Sequence, residues 1–391
     1  MALLIDDSGL PSKPEPQPKN EPTEEEASQL ESWLALHPTT AFSLQSMLLT
    51  VPCLILGWYY YGTSAVRLAV VSMLAAIVCS LAMQWLLQLK NLRRRDGKLR
   101  MQKTNHSGQS VRGITWRQGF DNGSPLVLGL WMACMLPADI PLRYAIAGCA
   151  FAVVCCMVPF GGGRTSPFSP TAVGFAFLTV CTARVFAYEP SVFAKPIHSS
   201  SLSQLLQYKQ SALQGEQILP VLLGQTVGPM GTGGIIAIAA VLGACFLLKS
   251  RRALALSSLG MVLSVAVLSF LFPRVSGNDM TLKLRLMAVG MELCSGMMLF
   301  AAVYLLPSAT RLPRMWYNKL LYGAMTGAFA ILLRHISVYE ESVVFAILLA
   351  NACWPVLANS YERLGGKAFK ERIKPKRRPR SGAEEEAVSN A

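Results

Sequence analysis

Charge is what this sequence has least of. Asp, Glu, Lys and Arg together make up 15% of its 391 residues, against about 25% in a water-soluble globular protein. Hydrophobic residues supply 52% and mean hydropathy is +0.38, so most of the chain cannot face water. Histidine is rare, with four residues. The ten cysteines form no C-x-x-C pair and no spacing typical of zinc or iron–sulfur ligation. All ten fall in apolar runs and read as small buried hydrophobes. Only the adjacent Cys155-Cys156 has any claim to redox chemistry. No G-x-G-x-x-G dinucleotide signature occurs. The start of the chain lacks the basic region of a cleaved signal. Residues 1–40 carry eight acids against two lysines, with several prolines, and read as a disordered acidic tail. Together these absences exclude a coiled coil, a disulfide-stapled secreted domain and an ordinary cytosolic enzyme. They leave no catalytic residue set and no metal centre to expect.

What is present instead is a series of apolar stretches, each close to the ~20 residues that cross a bilayer. They fall at about 45–62, 65–88, 120–137, 142–160, 170–187, 230–248, 254–272, 284–306, 318–335 and 342–358. The pattern predicts an all-α polytopic membrane protein of about ten helices. Asp121, Asn122 and Gly123 interrupt the third stretch, so nine spans is the alternative. Trp58-Tyr59-Tyr60-Tyr61 and Trp316-Tyr317 sit at span ends, as interfacial aromatic belts do.

The formal net charge is +14, from 36 basic and 22 acidic residues. Such an excess suggests nucleic acid or an anionic membrane surface. Its distribution decides between them. Nine Lys and Arg lie in the linker 89–119 and nine more in the tail 363–391, half of the total. By the positive-inside rule both segments are cytoplasmic. Eight spans separate them, an even number, so count and charge agree. Both termini then lie inside, and the loop 188–229, with only Lys195 and Lys209, lies outside. The transmembrane domain is expected over 41–362. Nucleic acid loses its support as a partner, and membrane lipid gains it. A faint internal repeat, SPLVLGLWMACMLPADIP from Ser124 and SGMMLFAAVYLLPSATRLP from Ser295, would give two inverted five-helix halves. Chance likeness between apolar helices is the competing explanation.

The strongest local signal is FGGGRTSPFSPT, Phe160 to Thr171. Three glycines and two prolines break the helix between two spans. Backbone like this survives at membrane depth only when packed in protein or lining a cavity, and glycines let a ligand approach the main chain. A turn at the membrane surface is the plainer reading.

The stretch resembles the F-G-G-x-G-x-N-x-F-N-P-A loop of the D subunit of the Rnf electron-transport complex, a family shared with the B subunit of the sodium-translocating NADH:quinone reductase. Four more pieces resemble that family in the same order: DNGSPLVLGLWMACMLP from Asp121, GPMGTGGIIAIAAVLGACFLL from Gly228, Tyr322-Gly323 through Arg334, and ESVVFAILLANACWP from Glu341. The resemblance covers roughly residues 40–362. It implies a subunit of a ferredoxin:NAD-type translocating oxidoreductase in the inner (plasma) membrane, not catalytic alone, which couples electron transfer to Na+ or H+ movement. It further implies partner membrane and soluble subunits, which would supply the NAD and ferredoxin sites, and a flavin transferase. The family carries FMN esterified to a threonine in an extracytoplasmic S-[GA]-A-T-x-L motif. Here that loop reads KPIHSSSL from Lys195, so Ser201 aligns with the acceptor, or Ser200 if the register slips. His198 would sit near the flavin phosphate. Gly161, Gly162, Pro167, Phe168 and Pro170 become candidate contacts for a second flavin or a quinone. The departures are a serine acceptor, Ser166 and Ser169 in place of both loop asparagines, and Thr232-Gly233-Gly234 in place of Glu-Thr-Ser. They also fit a relative that has lost its flavin and serves as a scaffold or transporter subunit.

Isolated charges complete the list. Glu292 sits mid-span, where an acid is costly and usually faces a partner or an aqueous path. It is a candidate for the ion path, or for a structural pair with Arg285 about two turns earlier. Arg184 and Arg334, near span ends, are expected to snorkel. His37, His106 and His335 lie at borders and suggest no ligand cluster.

Overall fold

A computed structural model describes residues 38–95, 123–160, 166–182, 202, 206, 221–224, 228–274, 281–308, 313, 315–336 and 341–372. Among them every regular element is a helix. These are α1 Pro38–Tyr61, α2 Thr63–Arg95, α3 Ser124–Met135, α4 Leu142–Met157, α5 Pro170–Cys181, α6 Ile235–Leu247, α7 Lys249–Leu271, α8 Leu282–Cys294, α9 Met298–Ser308, α10 Trp316–Ile336 and α11 Ser342–Arg372.

Three of these helices are long and apolar enough to cross a bilayer: Thr40–Tyr61, Thr63–Leu87 and Arg251–Leu271. α8 and α9 together would make a fourth, bent by 62°. The protein is therefore an all-α integral membrane protein. The outward faces are apolar, as lipid contact requires. Along α1, Leu44, Leu48, Val51 and Ile55 are exposed at a helical spacing, while Ser43, Ser46, Thr50 and Cys53 point inward and are buried. Trp58, Tyr59, Trp316 and Tyr317 are exposed at helix ends, where interfacial aromatics belong. Tyr60 and Tyr61, read with them as a belt, are instead buried.

The stretch 284–306, expected as one straight span, is broken. Gly296 adopts φ +57°, a left-handed conformation that ends α8 at low cost only for glycine. α9 then continues through a π-helical turn, Ala301–Leu305. The stretch 120–137 is shortened to the 12 residues of α3. At 1.5 Å per residue that is about 18 Å, shorter than a ~30 Å hydrocarbon layer, so the rest of the expected span is not helical among the described residues. α3 runs through the interior with ten buried residues. Its last carbonyls are satisfied from another part of the chain: Met230 N donates to Leu136 O at 3.2 Å and Gly231 N to Cys134 O at 2.8 Å. A Cβ on Gly231 would stand 2.5 Å from that of Cys134, so only glycine permits the approach.

The helices close over one core, with α7 and α10 in the tightest contact. There the backbones meet at glycines: a Cβ on Gly323 would lie 2.0 Å from Ser257 O, and one on Gly260 2.4 Å from Leu320 O. This is the small-residue packing that drives helix association where no water is expelled.

Candidate functional site

Two helix breaks organise the polar chemistry, one beside each end of α9. The first is the turn before α5. Gly161 and Gly162 lie outside the described residues, whereas Pro167, Phe168 and Pro170 lie within them. Pro170 starts α5, where its fixed φ suits the first helical turn and its missing N–H costs nothing. The two serines that stand in the asparagine positions are buried and turned inward. Ser166 hydrogen-bonds Cys156 at 2.8 Å and Ser169 hydrogen-bonds Ser308 of α9 at 3.0 Å. Cys156 also donates to Phe168 O at 3.6 Å, which makes it a strut of the turn. Beside the turn lies an open cleft walled by Phe42, Trp131 and Met157, with Ser43, Thr171 and Ser308 among its polar groups.

From this cleft a line of polar groups runs along the inner face of α1. Arg251, buried at the start of α7, donates to Phe42 O and to Ser46 Oγ, both at 2.7 Å, and stacks 4.0 Å over the Phe42 ring. Thr50 Oγ1 donates to Ser46 O and accepts from Trp131 Nε1 at 3.0 Å. Tyr304 follows, donating to Leu49 O at 2.7 Å and standing 3.5 Å from Cys53 Sγ. At the far end Tyr60 donates to Leu223 O, and Tyr61 to Gly228 O at 3.2 Å.

The second break, between α8 and α9, holds Glu292. Its side chain is buried, and both oxygens are taken by guanidinium groups. Arg274, just past α7, donates to Oε2 through Nε at 3.0 Å and Nη2 at 2.7 Å. Arg334 of α10 donates through Nη1 to Oε1 at 2.8 Å. Arg334 also caps the broken helix, with Nη1 on Glu292 O at 3.1 Å and Nη2 on Ser295 O at 2.9 Å. The structural pairing expected for Glu292 thus exists, but with other partners. Arg285, the expected one, turns away to Phe270 O at 3.4 Å. Arg334 does not snorkel; it is completely buried. A lone arginine in an apolar helix was the available signal, and the acid that needed it lay 42 residues away.

The loop residues His198, Ser200 and Ser201, like Arg184, lie outside the described residues. Leu202 and Leu206 lie within them and are buried in a small cluster with Val221, Ile235, Ala288 and Met291. Leu202 and Leu206 are therefore packed beside α8, next to Ala288 and Met291. Among the described residues no group of three or more His, Cys, Asp and Glu could hold a metal.

Short or broken helices satisfied by distant backbone, a buried polar line and a carboxylate clamped between arginines define a polytopic helical membrane protein. A model of the NQR2, RnfD, RnfE family matches residues 105–364, and the chain belongs to that family. Similar relatives include the D subunit of the ion-translocating oxidoreductase complex of Cronobacter sakazakii, 23% identical over 353 residues, or 82% of this chain and 92% of that one. The corresponding protein of Haemophilus ducreyi, of the same name, is 24% identical over 354 residues, again 82% and 92% of the two chains. The B subunit of the Na(+)-translocating NADH-quinone reductase of Chromohalobacter salexigens is 27% identical over 260 residues, 63% of this chain and 59% of that one.

Proposed function

We propose that this chain is a membrane subunit of an ion-translocating oxidoreductase complex in the plasma membrane. The observation that carries the reading is the family match over 105–364 together with D-subunit relatives covered almost end to end. Electron transfer coupled to Na+ or H+ movement is the activity this implies, with ferredoxin and NAD handled by partner subunits.

In the ten-span reading both termini are cytoplasmic and the loop 188–229 is extracytoplasmic. Contacts among helix ends support it. Arg251 meets the start of α1, and Ser169 meets the end of α9, all ends assigned inside. Tyr61 meets Gly228 and Met230 meets Leu136, all assigned outside, and Arg274 and Arg334, both at helix ends assigned outside, converge on Glu292. The inverted repeat gains support from the packing. In the first half α2 packs on α3 and α4, and in the second α7 packs on α8 and α10.

The extracytoplasmic loop is the proposed flavin site, with Ser201 esterified to FMN by a flavin transferase. FMN bound there would supply one- and two-electron chemistry. The chain's own part is to offer a hydroxyl on a loop whose next residue, Leu202, is anchored in the core. At the cytoplasmic cleft, Trp131 and Phe42 offer apolar walls for a second flavin or a quinone. Ser166 and Ser169 are engaged within the protein, so a ligand there would rely on Thr171 and on main-chain groups near Pro167, Phe168 and Pro170.

In-gel fluorescence of denatured protein, co-expressed with a flavin transferase, tests the flavin assignment. Wild type should fluoresce and Ser201→Ala should not. A dark wild type would remove the covalent flavin. It would favour the second reading, a scaffold or transporter subunit without flavin, for which the replaced asparagines and threonine speak.

A further inference from the structure

Basic residues gather where the chain first enters the membrane, at helix ends assigned inside. α1 and α2 both cross, and Gly62 alone lies between them, so they run antiparallel. α1 has 24 residues and α2 has 33, so the end of α2 stands beyond the start of α1. The apolar part of α2 stops at Leu87, and 88–95 continue the helix for about 12 Å. This extension carries Lys90, Arg93, Arg94 and Arg95 and no acid. α7 starts beside the same end of α1. Arg251 Nε donates to Gln45 Oε1 at 3.2 Å, and its Nη2 donates to Phe42 O at 2.7 Å. The next residue, Arg252, is exposed, and no described carboxylate pairs with it.

The charge of this collar is not balanced nearby. Three acids have described side chains, Asp139, Glu292 and Glu341, and all lie toward the side assigned outside. The acids nearest along the chain precede α1. Glu21, Glu24, Glu25, Glu26 and Glu31 fall 7 to 17 residues before Pro38, with no Lys or Arg between 20 and 37. A coil spans about 5–6 Å times the square root of its residue number, here about 15–25 Å. That is enough to reach the α2 extension. Lipid is the worse match in height. A ~30 Å hydrocarbon core within a ~40–45 Å bilayer leaves headgroup layers about 5–8 Å deep. Arg93 to Arg95 stand about 9–12 Å past Leu87 along the helix, in the water beyond those headgroups.

We infer that the acidic segment before α1 folds back onto the basic collar formed by the end of α2 and the start of α7. Its glutamates pair with Arg93, Arg94, Arg95 and Arg252. The tether makes the contact intramolecular, at an effective concentration in the millimolar range, which favours this segment over a free anionic partner. A partner subunit needing the same surface has to displace it. The inference does not depend on the flavin assignment.

Carbodiimide joins a carboxyl to an amine without a spacer, and so reads the contact in purified full-length chain in phosphatidylcholine nanodiscs. Mass spectrometry should find glutamates of 21–31 joined to Lys90 or Lys249. Arg93→Gln, Arg94→Gln and Arg95→Gln together should lower the yield at Lys90 about tenfold, because three exposed ion pairs go and the amine stays. High salt should lower it too. Glu24→Gln, Glu25→Gln and Glu26→Gln together provide a second variant, read at Glu21 and Glu31, should the arginine variant fold poorly. Equal yields in wild type, both variants and high salt would mean tethering without docking, and overturn the inference. Cross-links that run instead to lysines of 363–391 overturn it as well. So do cross-links found only between chains when isotopically light and heavy protein are mixed. Loss of the cross-links in phosphatidylglycerol nanodiscs assigns the collar to lipid and removes the segment as its occupant.

Discussion

At the residue scale, Glu292 accepts three side-chain hydrogen bonds from Arg274 and Arg334 inside the bundle. Removing one partner of a buried ion pair leaves uncompensated charge and costs about 3–5 kcal/mol, whereas the net worth of the intact pair is small. Glu292→Gln should therefore lower folded stability by about 3–5 kcal/mol, read as an earlier midpoint in a denaturant titration of purified protein. Arg285→Gln, at a side chain that turns to a carbonyl and not to the acid, should shift the midpoint much less. Equal shifts would mean that the clamp is not what holds this region. An ion bound directly by Glu292 would have to displace a guanidinium. In reconstituted complex, ion uptake by Glu292→Gln should accordingly fall no further than the folded fraction does.

At the scale of elements, glycine placement divides the helices into those that touch backbone to backbone and those that do not. Gly323→Ala pushes a methyl into Ser257 O, which backbone cannot yield. Overpacking of this kind costs about 1–3 kcal/mol, and the α7–α10 pair should loosen, measured as a lower melting temperature. Gly290→Ala in α8 meets nothing within 4 Å. It should be neutral or stabilising by up to about 1 kcal/mol through helix propensity. If both variants melt alike, the close α7–α10 contact is not present in solution. α3 follows a related logic, because a 12-residue helix survives at this depth only when other backbone completes its end.

At the scale of the whole molecule, the arrangement of helix ends is a statement about sidedness. In a variant depleted of accessible native cysteines, Ser201→Cys should react with an impermeant thiol reagent from outside intact cells. Arg377→Cys should react only after permeabilisation. Labelling of both from the same side would refute the even number of spans between the basic linker and the basic tail. The same placement bears on the proposed flavin, because a transferase working outside would reach Ser201 only in this orientation.

Composition and spacing were enough for class. Scarce charge and recurrent apolar stretches require a helical membrane protein, since only closed secondary structure satisfies backbone groups in lipid. The clustering of basic residues suggested an orientation, and five motifs in order suggested the family to which the chain belongs. Hydropathy could not find the break at Gly296 or the shortness of α3, because an apolar residue reads the same in a straight helix, a bent one or an interior rod. Nor could it choose partners. Arg285 is near Glu292 in sequence, yet Arg274 and Arg334 are near it in space. That choice was made by the packing of α7, α8 and α10, which brings 18 and 42 residues of separation down to one hydrogen bond. Sequence determined the solvent each stretch must face, because that depends on composition. Tertiary structure alone decided which polar groups meet, because in a bundle the partner of a buried charge comes from another helix.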